Sequence, residues 1–174
     1  MQFSDAHTPI TDKQQILDLL KKTNEEIHSV GLYFKWDKKD EVGFTSWPDD
    51  QMPEHALIVL ASFDMTYYHQ MEFAFFDVLA HDMPDEFQWP DHWEKEQLVL
   101  LEGREREDAL AFLNIPHPES HYVFAFNIGS HGEEQYYILA SGISIFRGTV
   151  FYYDREKQEA LKEGERVAWW TRRE

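Results

Sequence analysis

The chain has 174 residues, no cysteine, and 33 Asp and Glu against 16 Lys and Arg, a formal net charge of −17 at pH 7. That length fits one domain, and the lack of cysteine excludes a disulfide framework, a cysteine zinc site and a thiol nucleophile. Acidity on this scale repels nucleic-acid phosphates and anionic membrane surfaces and attracts basic partners, although it also serves plain solubility.

Apolar residues make up 43% of the sequence and aromatics 16%, enough to offset the conformational entropy lost on folding, so a packed core is expected despite the charge. The opening Met1-Gln2-Phe3-Ser4-Asp5 lacks the basic and apolar stretches of a secretory signal. No apolar run approaches the ~18 residues that span a bilayer. The expected compartment is the cytosol, with no membrane partner.

Residues 11–30 carry the clearest helix pattern. Thr11 and Gln14 are spaced as a capping box, and Ile16, Leu19, Leu20, Ile27 and Val30 recur at helical period before Gly31 as a stop. The pattern then changes to short aromatic and β-branched runs. Residues 32–36 and 42–47 predict a hairpin around the polar turn 37–40, and Pro48 and Pro53 break the chain after it.

The continuous apolar run 56–63 predicts a buried central strand. Residues 67–78 alternate Met71, Phe73 and Phe75 with Gln70, Glu72 and Ala74, predicting an antiparallel partner turned around 64–66. Periodicity is lost over 81–93, a loop mixing prolines, acids, histidines and aromatics. Residues 97–101 predict a strand, and 104–113 a helix that directs Ala109, Leu110, Phe112 and Leu113 inward and ends before Pro116 and Pro118. Strands are predicted over 122–128, 135–146 and 149–153, the last two forming a hairpin at Arg147-Gly148, with Gly142 marking a bulge or bend. Residues 154–163 are rich in helix formers, and Trp169 and Trp170 suit docking on the body of the protein. The fold class is α+β in one domain over 1–174: an N-terminal amphipathic helix packed on a mainly antiparallel sheet, with one or two further short helices.

Nine histidines raise the question of a metal. His117 and His121 are four apart, a spacing that aligns two imidazoles on a helix, but Pro118 between them argues for a loop. His81 and His92, with Asp82 and Asp91, would have to converge on them to complete a histidine and carboxylate site of the kind zinc or iron accepts. Among the carboxylates, Asp64, Glu72 and Asp77 interrupt apolar surroundings, although strand alternation alone explains Glu72. Phosphate-loop and dinucleotide glycine patterns are absent, as is a Gly-x-Ser-x-Gly elbow. No cofactor is expected.

Recognition accounts for the residues that catalysis leaves aside. Phe87, Trp89 and Trp93 beside Asp85, Glu86 and Asp91 combine aromatic anchors with negative charge, a surface for a basic protein partner, or else a plug of aromatics over the core. Phe76-Asp77-Val78 followed by Pro84, Phe87 and Trp93, and the closing segments Val150-Phe151-Tyr152-Tyr153-Asp154-Arg155-Glu156 and Gly164-Glu165-Arg166-Val167-Ala168-Trp169, give a further pointer. With the acidic, cysteine-free α+β composition, they resemble bacterial immunity proteins of toxin–immunity systems, including the SUKH-type group. The resemblance implies a protein that neutralises a partner and assigns no residue a role. The expected function is therefore a noncatalytic acidic protein-binding domain of immunity or regulatory type. The alternatives are a metal-assisted enzyme using His81, His92, His117 and His121, and an acidic mimic of nucleic acid.

Overall fold

A computed structural model of the protein describes residues 7–27, 33–38, 45–47, 53–62, 68–84, 86–88, 97–116, 118–128 and 134–151. The elements in chain order are α1 (Lys13–Ile27), β1 (Tyr33–Lys38), β2 (Leu57–Ser62), β3 (Tyr68–Phe76), β4 (Ala80–His81), β5 (Glu86–Gln88), β6 (Leu98–Leu101), α2 (Gly103–Phe112), β7 (Tyr122–Ile128), β8 (Glu134–Ala140) and β9 (Gly142–Phe151). They form two sheets, β5-β1-β2-β3-β9 and β4-β8-β7-β6, and every strand pairing within them is antiparallel. The α+β class and the N-terminal helix are as expected. The antiparallel structure, however, is divided between two sheets.

One core lies between the sheets. Leu57, Val59 and Ala61 of β2, Met71, Phe73 and Phe75 of β3 and Ile143 and Ile145 of β9 meet Phe124, Phe126 and Ile128 of β7 and Ile138 and Ala140 of β8. Strand alternation puts these residues on one face. Phe73 and Phe75 pack edge-to-face on Phe126 and Phe124 at 5.9 and 5.2 Å, the arrangement the ring quadrupole favours. β2 is the central strand of its sheet and is buried along its whole length. That explains why it reads as an unbroken apolar run: both its faces are covered.

α1 adds Ile16, Leu20 and Ile27 to this core. Its cap is Asp12, one residue later than the expected Thr11: the Asp12 carboxylate accepts from the Gln15 backbone N–H at 3.0 Å, and its carbonyl accepts from Ile16 N–H. Serving as N-cap, Asp12 satisfies an amide that the first helical turn leaves without a partner. The helix spans the edges of both sheets. Asn24 donates to the Leu98 carbonyl at 2.8 Å and accepts from Leu98 N–H at 3.1 Å on β6. Arg147 of β9 donates to Glu26 and Thr23 at 2.6 and 2.8 Å.

At the opposite corner the sheets are continuous. β3 and β9 pair down to Phe76 and Gly142, and beyond a bend at 77–79 and Ser141 the ladder resumes as β4 with β8. Ser141 N–H donates to the Phe76 carbonyl and Leu79 N–H to that of Leu139. Asp77 at φ 48° makes the turn on one side, a left-handed conformation that Asp tolerates better than most residues. On the other side is Gly142, where a Cβ would meet the Ile10 carbonyl oxygen at 2.6 Å.

Several expectations are corrected here. β1 pairs with β2 and β5, and residues 45–47, the described part of the predicted strand 42–47, form a bend and no strand; residues 39–44 lie outside the described residues. The break between the last two strands falls at Ser141, and β9 runs straight through Arg147-Gly148. The apolar run 135–146 is continuous in sequence because each half is buried in a different sheet. Residues 81–93 contain two short strands, the end of β4 and all of β5. Phe112, expected in the core, is 67% exposed. The predicted elements at 154–163 and the Trp169-Trp170 pair lie outside the described residues.

Candidate functional site

Among the described residues, three groupings of polar side chains stand out. On the outer face of the first sheet, Glu72 of β3 is 1% exposed and sits among Ile58, Leu60, Ala74, Phe76 and Trp47. Its carboxylate accepts from Ser46 N–H at 2.6 Å, from the Ser46 hydroxyl at 2.5 Å and from the His69 ring at 2.6 Å. A carboxylate only accepts, so Ser46 gives its one proton to Glu72 and receives a hydrogen bond from His7 Nε2 at 2.8 Å. Residues three apart on a regular strand face opposite sides. The register shift between His69 and Met71 in the β3–β9 pairing is what allows His69 to meet Glu72. His7 is itself held between Trp47 and Phe146 at 4.4 and 5.9 Å. The network contains serine, histidine and glutamate, but Glu72 accepts directly from Ser46, and the histidine it holds, His69, is a different one from His7, which faces the serine. That departs from the order in which a nucleophile is activated, and Ser46 is buried. Its effect is to bind the segments at 7–10 and 45–47 to the sheet.

The second place is the corner. Asp77 accepts from the Ser141 hydroxyl at 2.8 Å, and His121 Nε2 lies 3.1 Å from the Asp77 carbonyl oxygen, with Nδ1 3.3 Å from Ser120 Oγ. Arg106 of α2 donates to the carbonyls of Pro118 and His121 and fixes that loop. The left-handed turn at Asp77 is thereby held from both sides.

The third place is the flank of α2 beside β8. Glu105, Asp108 and Phe112 fall at i, i+3 and i+7, an exposed stripe that borders the buried Ala109 and lies opposite Leu110. Phe112 packs edge-on to Tyr137 at 5.8 Å and 68°. Asp82, which follows β4, accepts from Tyr137 N–H at 2.5 Å, and the Tyr137 hydroxyl donates to Gln135 at 3.1 Å. Burial pushes the Asp82 carboxyl above the ordinary carboxylate value, against the lowering effect of its backbone hydrogen bonds and His81. Burial also pushes the Tyr137 phenol up, with further contributions from the negative charges of Asp82, Asp108 and Glu105. The result is an exposed phenylalanine ring against a partly buried tyrosine, within the field of three carboxylates. Arg104 reaches Asp108 at 3.8 Å, but both side chains are highly exposed, so this contact holds the aspartate loosely.

Of the residues expected to bind a partner, Glu86 and Phe87 are placed on β5, hydrogen-bonded to β1. Asp85, Trp89, Asp91 and Trp93 lie outside the described residues. So do His92 and His117 of the metal set, and Asp64. His81 Nδ1 accepts from Met83 N–H at 3.2 Å, and His121 is engaged at the corner. No group of three or more His, Asp or Glu suited to a metal occurs among the described residues. The Phe112–Tyr137 stripe was missed because helical spacing made Phe112 a core residue. The signal that could have found it was the pairing of Glu105 and Asp108 with Phe112 on one flank. Comparisons with protein-family models, with curated proteins and with solved structures find no match.

Proposed function

We propose that the protein is a noncatalytic acidic binding domain of immunity or regulatory type that neutralises a basic protein partner in the cytosol. The observation that carries this reading is the exposed Phe112 ring packed on the partly buried Tyr137 and set among Asp82, Glu105 and Asp108. Aromatic anchors with opposing charge around them are what a positively charged partner surface recognises. The net charge of −17 supplies long-range attraction. The hydroxyl, imidazole and carboxylate groups of the Glu72 and Asp77 clusters are bonded to one another and so serve the fold. Asp82 also belongs to the acidic and aromatic segment 81–94 of the sequence.

The test is affinity capture from lysate of the source cells at low and high salt, with the bound proteins identified by mass spectrometry. One basic protein should be retained at low salt, released at high salt, and held less well after charge reversal at Asp85, Glu86 and Asp91. Retention of no basic protein at either salt overturns the reading.

A further inference from the structure

The geometry at α2 points to a more specific occupant: we propose that the Phe112–Tyr137 pair receives an arginine side chain of the partner, its guanidinium lying on the aromatic rings and paired with the flanking carboxylates. This rests on the reading of the protein as a binder of basic partners and adds which side chain it selects, and where.

Three features favour arginine over lysine. The two rings meet edge to face at 68° with centroids 5.8 Å apart, so a planar cation stacked on Phe112 lies beside the partly buried Tyr137 ring. Phe112 is 67% exposed, so its ring is available without rearrangement of the core. The carboxylates come from two elements: Glu105 and Asp108 from the helix, and Asp82 from the end of β4, anchored by its bond to Tyr137 N–H. A guanidinium presents five donors in a plane and can stack and pair with two acids at once, whereas an ammonium is a compact, strongly hydrated point charge. Cation–π attraction at an exposed site of this kind corresponds to a roughly two- to five-fold gain in affinity. Arg104 at 3.8 Å from Asp108 is the resident cation, and its high exposure leaves it free to swing aside.

The experiment titrates the full chain at low salt with two fluorescently labelled peptides of equal charge, hexa-arginine and hexa-lysine. Wild type should bind hexa-arginine two- to five-fold more tightly. Phe112→Ala should erase that preference while hexa-lysine binding stays unchanged. Glu105→Gln should weaken both peptides more than Glu107→Gln, which removes the same charge from another flank of the same helix. In parallel, the aromatic NMR resonances of Phe112 and Tyr137 should shift on addition of hexa-arginine. Binding of neither peptide defeats the broader reading of a basic-partner binder. Binding of both with a preference that survives Phe112→Ala, or without a shift of the two rings, overturns the arginine site alone.

Discussion

Glu72 shows how much one side chain can hold in place. It accepts three hydrogen bonds at a buried position, and two of them come from Ser46, far away in sequence. Glu72→Ala removes the acceptor for a backbone amide, a hydroxyl and an imidazole together. Breaking a buried charged network in this way costs about 3–5 kcal/mol, so the denaturant midpoint should fall steeply. Glu72→Gln keeps one carbonyl oxygen and should cost less, about 1–3 kcal/mol. Equal losses in the two variants would show that packing volume, and not hydrogen bonding, is what Glu72 supplies. Asp82 acts in the opposite sense. Its native carboxyl takes up a proton more readily than the unfolded one, whose ordinary value is about 3.9. Folding therefore binds a proton above that pH. The stabilising contribution is complete below it and is lost as pH rises through the native value. Asp82→Asn removes the charge and keeps an oxygen for Tyr137 N–H. Its urea midpoint should rise relative to wild type as pH increases through this window and converge with it at lower pH; parallel profiles would contradict the assignment.

Among the secondary-structure elements, α1 depends on Asn24 as much as on its apolar stripe. Both backbone groups of Leu98 point out of the β6 edge and are bonded to one side chain, which at the same time covers a strand edge that would otherwise be open to pairing. Asn24→Ala leaves a buried donor and a buried acceptor without that partner. A loss of about 2–3 kcal/mol is expected, with faster amide exchange at Leu98; unchanged exchange there would show that the helix does not protect the edge. The helix itself was legible because a stripe at i, i+3 and i+4 is a local property of the sequence. So were β2, β3, β6, β7 and α2, each with its own period or apolar run. Illegible were the features set by distant contacts. The 45–47 segment has strand-forming residues, but Ser46 gives its amide to Glu72. The run 135–146 shows no break because the change of sheet exposes neither half. At that crossing Gly142 lies against the Ile10 carbonyl. Gly142→Ala should therefore destabilise by about 1–3 kcal/mol through overpacking, read as a lower midpoint of thermal unfolding.

For the chain as a whole, a net charge of −17 gives the folded state and the proposed binding of a basic partner opposite responses to salt. Like charges on one compact body repel, and this self-repulsion acts against the fold. Attraction to a basic partner uses the same field with the other sign. Salt shortens the reach of both, from about 30 Å at 0.01 M to about 3 Å at 1 M. Raising sodium chloride over that range should therefore raise the melting temperature of the isolated protein while weakening its hold on a basic peptide. Among the described residues, Lys13 with Glu102 and Arg104 with Asp108 are exposed pairs, of the kind that contributes little against this effect, while Arg147 with Glu26 is largely shielded from solvent. Thermal unfolding and peptide titration in the same buffers give the two slopes together. Slopes of opposite sign are the signature of a charge excess tuned to a partner at some cost to the fold. A melting temperature that falls with salt would mean that attractive pairs outweigh repulsion in the folded state, and that the acidic surface is arranged mainly to hold the protein together.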